Sequence, residues 1–419
     1  METAQEIQTE TQAESSKTLF KGTGSQVLLN GLIEEGVTTI FGYPGGAIMP
    51  IYDALYDYAD KLQHILVRHE QGGIHAAQGF ARTSGKVGVC FATSGPGATN
   101  LVTGLADAQI DSTPLVCITG QVFAHLLGTD AFQETDVINI TTPVTKWNYQ
   151  VTDAKEIPEV LAKAFYIAKS GRPGPVLIDI TKNAQLQVEE FPEYVKCNHI
   201  RSYRPKPKVR VEYIEQAAEL INAAKKPFVL FGQGVILGKA EAEFKAFIEK
   251  AGIPSAWTIM GDGAIPTSHT LNVGMLGMHG NYGPNVLTNE CDVLIAIGMR
   301  FDDRVTGRLD KYAKQAKVIH FDIDPAEIDK NVALGATFKE LSSKEKNELN
   351  ITSGVKITSL NAGKLKSVGL KEGMIVTKMN NEVITTVEQL TSKLNSSTGG
   401  VLLEVMTESG RKDYVGFGL

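Results

Sequence analysis

Three short apolar runs, each ending in a turn rich in glycine or carrying a carboxylate, limit what this chain can become. They are Thr38 to Phe41 before Gly42-Tyr43-Pro44-Gly45-Gly46-Ala47, Ile65 to Val67 before Arg68-His69-Glu70-Gln71-Gly72-Gly73, and Val87 to Ala92 before Thr93-Ser94-Gly95-Pro96-Gly97-Ala98-Thr99-Asn100. Apolar runs that alternate with helical patterns predict buried strands of a parallel, doubly wound sheet. The helix after Gly24, with Val27, Leu28, Leu32 and Ile33 on one face, continues the alternation, as do strands over Leu115–Thr119 and Pro175–Ile180. Glycine turns let backbone approach a ligand, and open α/β sheets bind ligands beyond the carboxyl ends of their strands. Glu70 falls at such an end, between apolar residues and the small residues Ala76, Ala77, Gly79 and Ala81 that open a helix. A carboxylate buried there needs a partner. Either it bonds backbone N–H groups at a helix start, or it serves a cofactor cleft.

A second α/β pattern follows a linker over residues 184–209, whose stretch from Arg201 to Lys208 is rich in proline and basic residues. Its strands are expected at Pro227–Phe231, Ser255–Thr258, Val293–Gly298 and Val318–Asp322, with a helix over Ala240–Ala251. Three strand ends carry clusters suited to a dinucleotide: Gly277-Met278-His279, Gly298 to Arg304, and Asp322-Ile323-Asp324. Glycines admit backbone, arginines suit a pyrophosphate, and an acid suits ribose hydroxyls. Gly232-Gln233-Gly234 alone lacks the full glycine fingerprint. Gly261-Asp262-Gly263 with Asn289 imitates a metal–diphosphate signature, but it sits within this second pattern and no metal ligands are assigned to it.

Composition excludes several classes of function. A net charge of −6 gives no reason to expect nucleic acid or an anionic membrane as partner, and no apolar run is long enough to span a bilayer. The cysteines Cys90, Cys117, Cys197 and Cys291 lack metal-ligand spacing and read as free thiols of a reducing compartment. Residues 1–17 are polar and acidic, unlike a signal or transit peptide, and are expected to be a disordered leader on a cytoplasmic protein.

Six motifs then occur in the order of one known family: FGYPGGA from Phe41, RHEQG from Arg68, TSGPGATN from Thr93, GTDAFQE from Gly128, SGRPGPV from Ser170 and RFDDRVTG from Arg300. Over residues 18–332 the chain resembles the large subunit of acetolactate synthase (acetohydroxyacid synthase). The resemblance implies an α/β fold with two doubly wound domains: a thiamine-diphosphate pyrimidine-binding domain over 18–183 and an FAD-binding central domain over 210–332, incomplete at its C-terminal end. It implies that Glu70 bonds the aminopyrimidine ring of thiamine diphosphate, that the backbone of Gly46 lies against the reaction centre, and that Gln133 and Phe132 flank cofactor and keto acid. Tyr43, Pro44 and Gly45 join that pocket, and Lys182 matches a lysine near the substrate entrance, although a solvated strand-end lysine explains it equally. FAD contacts are implied at Arg172, Gly277, Met278, His279, Gly298, Arg300, Asp302, Arg304, Asp322 and Asp324; the alternative for Arg300 and Arg304 is an ion-pair cluster with Asp302 and Asp303. Family members often carry a basic residue after Gly120-Gln121, where this chain reads Val122-Phe123-Ala124-His125.

The implied reaction decarboxylates pyruvate and adds the remainder to a second 2-keto acid, pyruvate or 2-ketobutyrate, in branched-chain amino acid synthesis. The family uses Mg²⁺ and a structural flavin, and it forms active sites between two chains. The expected partners are a second copy or a full-length large subunit, with a small regulatory subunit. A pyruvate oxidase-type flavin and thiamine enzyme is the alternative within the class.

The resemblance stops after Val332. Residues 333–419 instead resemble the C-terminal PDZ module of HtrA/DegP-type proteases, through Leu334-Gly335-Ala336-Thr337, Gly354 to Ile357, Gly369 to Val376 and the helix Thr386–Leu394. The pattern is that of a small β-rich domain with a tight turn at Asn380-Asn381 and closing strands over Val401–Thr407 and Lys412–Gly416. The resemblance implies a peptide carboxylate loop at Leu334, Gly335 and Ala336, hence C-terminal peptides as ligands. Without the diphosphate- and Mg-binding domain, such a chain is expected to be inactive alone, as a truncated or fused frame or as a peptide-binding module on an enzyme-derived scaffold.

Overall fold

The computed structural model describes residues 20–308, 311–324, 327, 332–333, 336–360, 364–397, 399–407 and 410–418; the expected leader, residues Leu334 and Gly335, and the turn residues Glu408 and Ser409 lie outside them. The chain divides into two units, meeting at Pro207 and Lys208.

In the first unit the strands are β1 (Phe20–Thr23), β2 (Thr39–Gly42), β3 (Gln63–Leu66), β4 (Gly88–Ala92), β5 (Leu115–Gln121), β6 (Trp147–Val151), β7 (Pro175–Thr181) and β8 (Val188–Phe191). Six of them form a parallel sheet in the order β3-β2-β4-β5-β7-β6, and β1 pairs antiparallel with β8. A parallel sheet is covered on both faces. Along β4, Val89 and Phe91 enter one core with Leu28, Leu32, Ile40 and Phe165, while Cys90 and Ala92 enter the other with Ile74, Leu105 and Leu177. That division is the two-residue period of a strand. The run Ile65-Leu66-Val67 departs from expectation. Its strand lies at the sheet edge, with β2 as its neighbour, and Leu66 is 65% exposed.

The second unit opens with strands β9 (Pro227–Phe231), β10 (Ser255–Trp257), β11 (Asn272–Met275), β12 (Val293–Ile297) and β13 (Lys317–Phe321). They form a parallel sheet in the order β11-β10-β9-β12-β13. The chain leaves β9 toward one edge and returns to its other side at β12, which makes the crevice beyond β9 and β12 a topological switch point.

An antiparallel sheet follows: β14 (Val332–Ala333), β15 (Ala336–Glu340), β16 (Val355–Leu360), β17 (Ile375–Met379), β18 (Glu382–Val383), β19 (Gly400–Met406) and β20 (Lys412–Gly418). Its order is β14-β15-β16-β17-β19-β20, with β18 on β17. Asn380 and Asn381, at φ +48° and +68°, make the two-residue turn between β17 and β18. Thr386 caps the helix Val387–Ser396 by accepting from Gln389 N, and Leu390 of that helix joins a core with Phe338, Ile357 and Leu403. No described helix is long and apolar enough to cross a membrane.

Candidate active site

Glu70 is the first residue of the helix Glu70–Ser84, and His69 caps that helix by accepting from Gln71 N at 3.2 Å. The cap leaves the Glu70 side chain unneeded for backbone N–H groups. Glu70 is 8% exposed, and its carboxylate accepts from Asn100 Nδ2 at Oε2, 2.9 Å away. Among the described residues no other hydrogen bond reaches it, so Oε1 is open. Backbone crowds close beside it, since a Cβ on Gly97 would lie 3.3 Å from Glu70 Oε1. A largely buried carboxylate with one bonded oxygen and one open oxygen can accept a hydrogen bond from a ligand. Behind it Tyr52 bonds His64 Nε2 at 3.2 Å; burial first, then the charges of Cys90 and Glu70, push its phenol pKa up.

The turn after β2 supplies a second wall. Ala47 N donates to Thr93 Oγ1 at 3.3 Å, tying this turn to the one after β4. A Cβ on Gly45 would lie 2.5 Å from Thr93 Cβ, whereas one on Gly46 meets nothing within 4 Å. Gly46 therefore faces open space. Its carbonyl oxygen accepts from Lys182 Nζ at 3.2 Å, and that ammonium lies 5.9 Å from the centroid of the Phe123 ring. Tyr43, Pro44 and Gly46 are all exposed. Lys182 also lines a pocket of about 480 Å³ with Gln26, Met49, Asp53, Asp57 and Gln185.

The loop over Gly128–Glu134 closes on its own last residue. Glu134 accepts from the backbone N–H groups of Gly128, of Thr129 at 3.1 Å and of Ala131 at 3.3 Å. Those bonds, Gly128 foremost, hold its carboxyl below the usual range. Within the loop Phe132 is 88% exposed and Gln133 has φ +58°. The strand ends of β2, β4, β5 and β7 and the helix start after β3 thus bring Gly46, Asn100, Gln133, Lys182 and Glu70 to the carboxyl side of one parallel sheet.

In the second unit the predicted clusters stand at strand ends. Gly277 N donates to Asn285 Oδ1 at 2.9 Å, and Asn285 Nδ2 donates back to Gly277 O at 3.0 Å. Met278 N donates to Arg304 O at 2.7 Å, which joins the β11 cluster, with His279 beside it, to the β12 cluster. At the switch point Gly298, at φ +56°, would place a Cβ 2.7 Å from Gly234 Cα, so these glycines serve close backbone packing between β9 and β12. Arg300 pairs with Asp302 at 3.8 Å and Arg304 with Asp303 at 3.7 Å, as the ion-pair alternative expects. Asp302 also caps the next helix through Arg304 N and Val305 N. Asp322 Oδ1 accepts from Asp324 N at 2.8 Å. Arg172 belongs to the first unit, where it donates to Ser112 Oγ at 2.9 Å and Ile110 O at 3.0 Å. Asn289 of the rejected metal signature is engaged by Ala313 N at 2.9 Å. In the third sheet Ala336 is buried and pairs with Ala333 on one side and Leu360 on the other, so its backbone is already occupied.

Comparison with known proteins agrees with this geometry. Residues 22–140 match the thiamine pyrophosphate enzyme N-terminal TPP binding domain, and residues 214–341 match the thiamine pyrophosphate enzyme central domain. The chain is 54% identical over 309 residues to an acetolactate synthase of Mycobacterium bovis, covering 74% of this chain and 50% of that protein. It is 53% identical over 308 residues to the acetolactate synthase large subunit of Corynebacterium glutamicum, covering 74% of this chain and 49% of that protein. The probable acetolactate synthase large subunit of Methanocaldococcus jannaschii is 51% identical over 312 residues, covering 74% of this chain and 52% of that protein.

The chain belongs to the acetolactate synthase large-subunit family of thiamine pyrophosphate enzymes.

It spans about half the length of the curated relatives it matches. As an acetolactate synthase family member it carries two features that reading the residues in order does not reveal. Asn100 follows Glu70 by 30 positions, and only folding makes it the carboxylate's donor. Glu134 stands inside a quoted motif, yet nothing local marks it as the acceptor that shapes the loop.

Proposed function

We propose that this chain supplies the carboxylate half of an acetolactate synthase active site, and the open Oε1 of Glu70 carries the proposal. A thiamine group fits beside it on two counts: an acceptor oxygen of Glu70 without a partner among the described residues, and the space at Gly46. When bound, thiamine diphosphate supplies the electron sink for decarboxylating one 2-keto acid and joining the remainder to another. Glu70 would hold the ring of the bound group through a hydrogen bond, with Asn100 fixing the carboxylate's orientation. Lys182 orients the Gly46 carbonyl toward the reacting groups. Tyr43, Pro44 and Gly45 shape the wall, and Phe132 and Gln133 flank pyruvate and the second keto acid, 2-ketobutyrate or pyruvate. The clusters at Gly277-Met278-His279, Gly298 to Arg304 and Asp322 to Asp324 are assigned to a structural FAD; the switch-point crevice supports this, and the ion pairs of Arg300 and Arg304 must open for it.

The described strands from Val332 to Gly418 form an antiparallel sheet. This polypeptide is assigned activity in a mixed dimer with a full-length large subunit, in the cytoplasm. The test mixes it with a full-length large subunit whose own equivalent glutamate is glutamine. Acetolactate appearing only in the mixture, and lost with Glu70→Gln in this chain, is the expected result. Acetolactate from the purified chain by itself, abolished by Glu70→Gln, overturns the half-site assignment.

A second reading rests on β15. Beyond Thr337, no described strand pairs its outer edge at Phe338–Glu340, and the helix Val387–Ser396 packs against β14 and β15. An extended peptide adding to that edge makes this a peptide-binding module. Binding of C-terminal peptides by calorimetry, lost when Gly335 is replaced by a bulky residue, supports it; no binding sinks it.

A further inference from the structure

Along β7 the residues Val176, Leu177, Ile178 and Ile180 are buried and apolar, and Asp179 stands among them fully buried. Strand register puts Thr119 of β5 and Gln150 of β6 directly beside it. Thr119 Oγ1 donates to Asp179 Oδ1 at 2.6 Å, and Oδ2 accepts from Gln150 Nε2 at 3.0 Å and Gln121 Nε2 at 3.1 Å. The Gln121 amide has one sensible orientation, because its Oε1 accepts from Val122 N at 2.9 Å and its Nε2 also donates to Thr135 O at 3.0 Å. Both Asp179 oxygens are therefore engaged, and the one facing the two glutamine amides must be an acceptor, a role no apolar side chain fills. Burial raises the Asp179 pKa against the effect of those bonds. A sheet interior that needed only packing would carry another apolar residue here, since an ionisable group is costly to bury.

Gln121 is the member that reaches out of the sheet. Its second bond ends on Thr135, the residue after Glu134, whose carboxylate closes the loop carrying Phe132 and Gln133. We propose that Asp179, acting through Gln121, is a positioning residue that anchors the base of the Phe132–Gln133 loop; its relevance to catalysis rests on the reading of that loop as part of the acetolactate synthase site. The loop then has two supports, Glu134 within it and the Asp179–Gln121 pair beneath it. Gln150 shares the Asp179 carboxylate with no bond to the loop, which makes it the internal control.

The test is chymotrypsin cleavage after the exposed Phe132, followed by mass spectrometry on the full chain without ligand. Gln121→Leu and Asp179→Leu are expected to speed cleavage there by about tenfold, while cleavage at sites elsewhere in the unit stays near wild type. Gln150→Leu is expected to leave the rate after Phe132 within about twofold. Should Asp179→Leu fail to fold, Gln121→Leu carries the test alone. An unchanged rate in Gln121→Leu overturns the proposal, and so does a rise spread over the whole unit, which marks a merely structural network. In the mixed dimer with a full-length large subunit, Gln121→Leu is expected to raise the KM for pyruvate about tenfold with kcat changed less than about threefold. If the wild-type chain fails to complement at all, the half-site reading falls while the cleavage arm still decides the anchoring.

Discussion

A Cβ added at Gly95 would lie 2.5 Å from the carbonyl oxygen of Gln133, so the turn after β4 and the loop after β5 close on each other with no room for a side chain. Gly95 also has φ +56° and ψ −118°, a conformation that L side chains disfavour. Two motifs separated by more than a strand and a helix thus share one contact.

Replacing Gly95 by alanine combines backbone strain with a backbone clash. The first unit is expected to lose about 2–4 kcal/mol in urea unfolding. Binding of thiamine diphosphate should weaken as the Gln133 loop is pushed aside. A variant with unchanged stability would show that the two segments are not packed as described.

Gly45 and Gly46 are neighbours with opposite surroundings. Gly45→Ala drives a methyl into Thr93 and is expected to destabilise the unit by about 1–3 kcal/mol. Gly46→Ala meets open space, so its stability should stay within about 0.5 kcal/mol of wild type while complementation of a full-length partner is lost. Thermal melts paired with the mixed-dimer assay separate the two; full complementation by Gly46→Ala would place that glycine away from the reacting groups.

Glu70 presents the same contrast in one residue. Glu70→Gln keeps an acceptor for Asn100 Nδ2, and its fold is expected to be near wild type. Glu70→Ala leaves that amide without its partner in a nearly buried position and should cost about 1–3 kcal/mol. Equal stabilities for the two variants would mean that the Asn100 bond is not made.

Acid should act on the third sheet through Glu404. Its carboxyl is raised by burial, but the bonds from Lys378 at 3.1 Å, Thr377 at 2.9 Å and Tyr414 at 3.2 Å outweigh that and hold it at about 2, against an ordinary 4.5. A folded pKa below the unfolded one contributes stability that is complete above the unfolded value and fades as pH falls toward the folded value. Melting temperatures measured from pH 5 down to 2 should therefore drop more steeply in wild type than in Glu404→Gln. Parallel slopes would remove Glu404 as the acid-sensitive group.

Strand and helix periodicity determined most of the architecture from sequence alone. Buried strands of a parallel sheet read as continuous apolar runs, and β4, β5 and β7 show this plainly. The positive-φ pair Asn380-Asn381 was legible for a similar reason, because turn chemistry is local. The glycine-rich strand ends and Glu70 marked the candidate site, since ligand approach requires particular residue types at particular ends. Partnership was not legible. The Leu66 side chain is exposed because β3 lies at an edge, and strand order is set by packing between distant segments. Asn100 meets Glu70, Gln133 meets Gly95, and Asp179 meets Gln121 and Gln150 only because separate strands lie in register. Each of those contacts depends on the relative placement of segments far apart in the chain, and local residue pattern carries no term for it; the tertiary structure alone decided them.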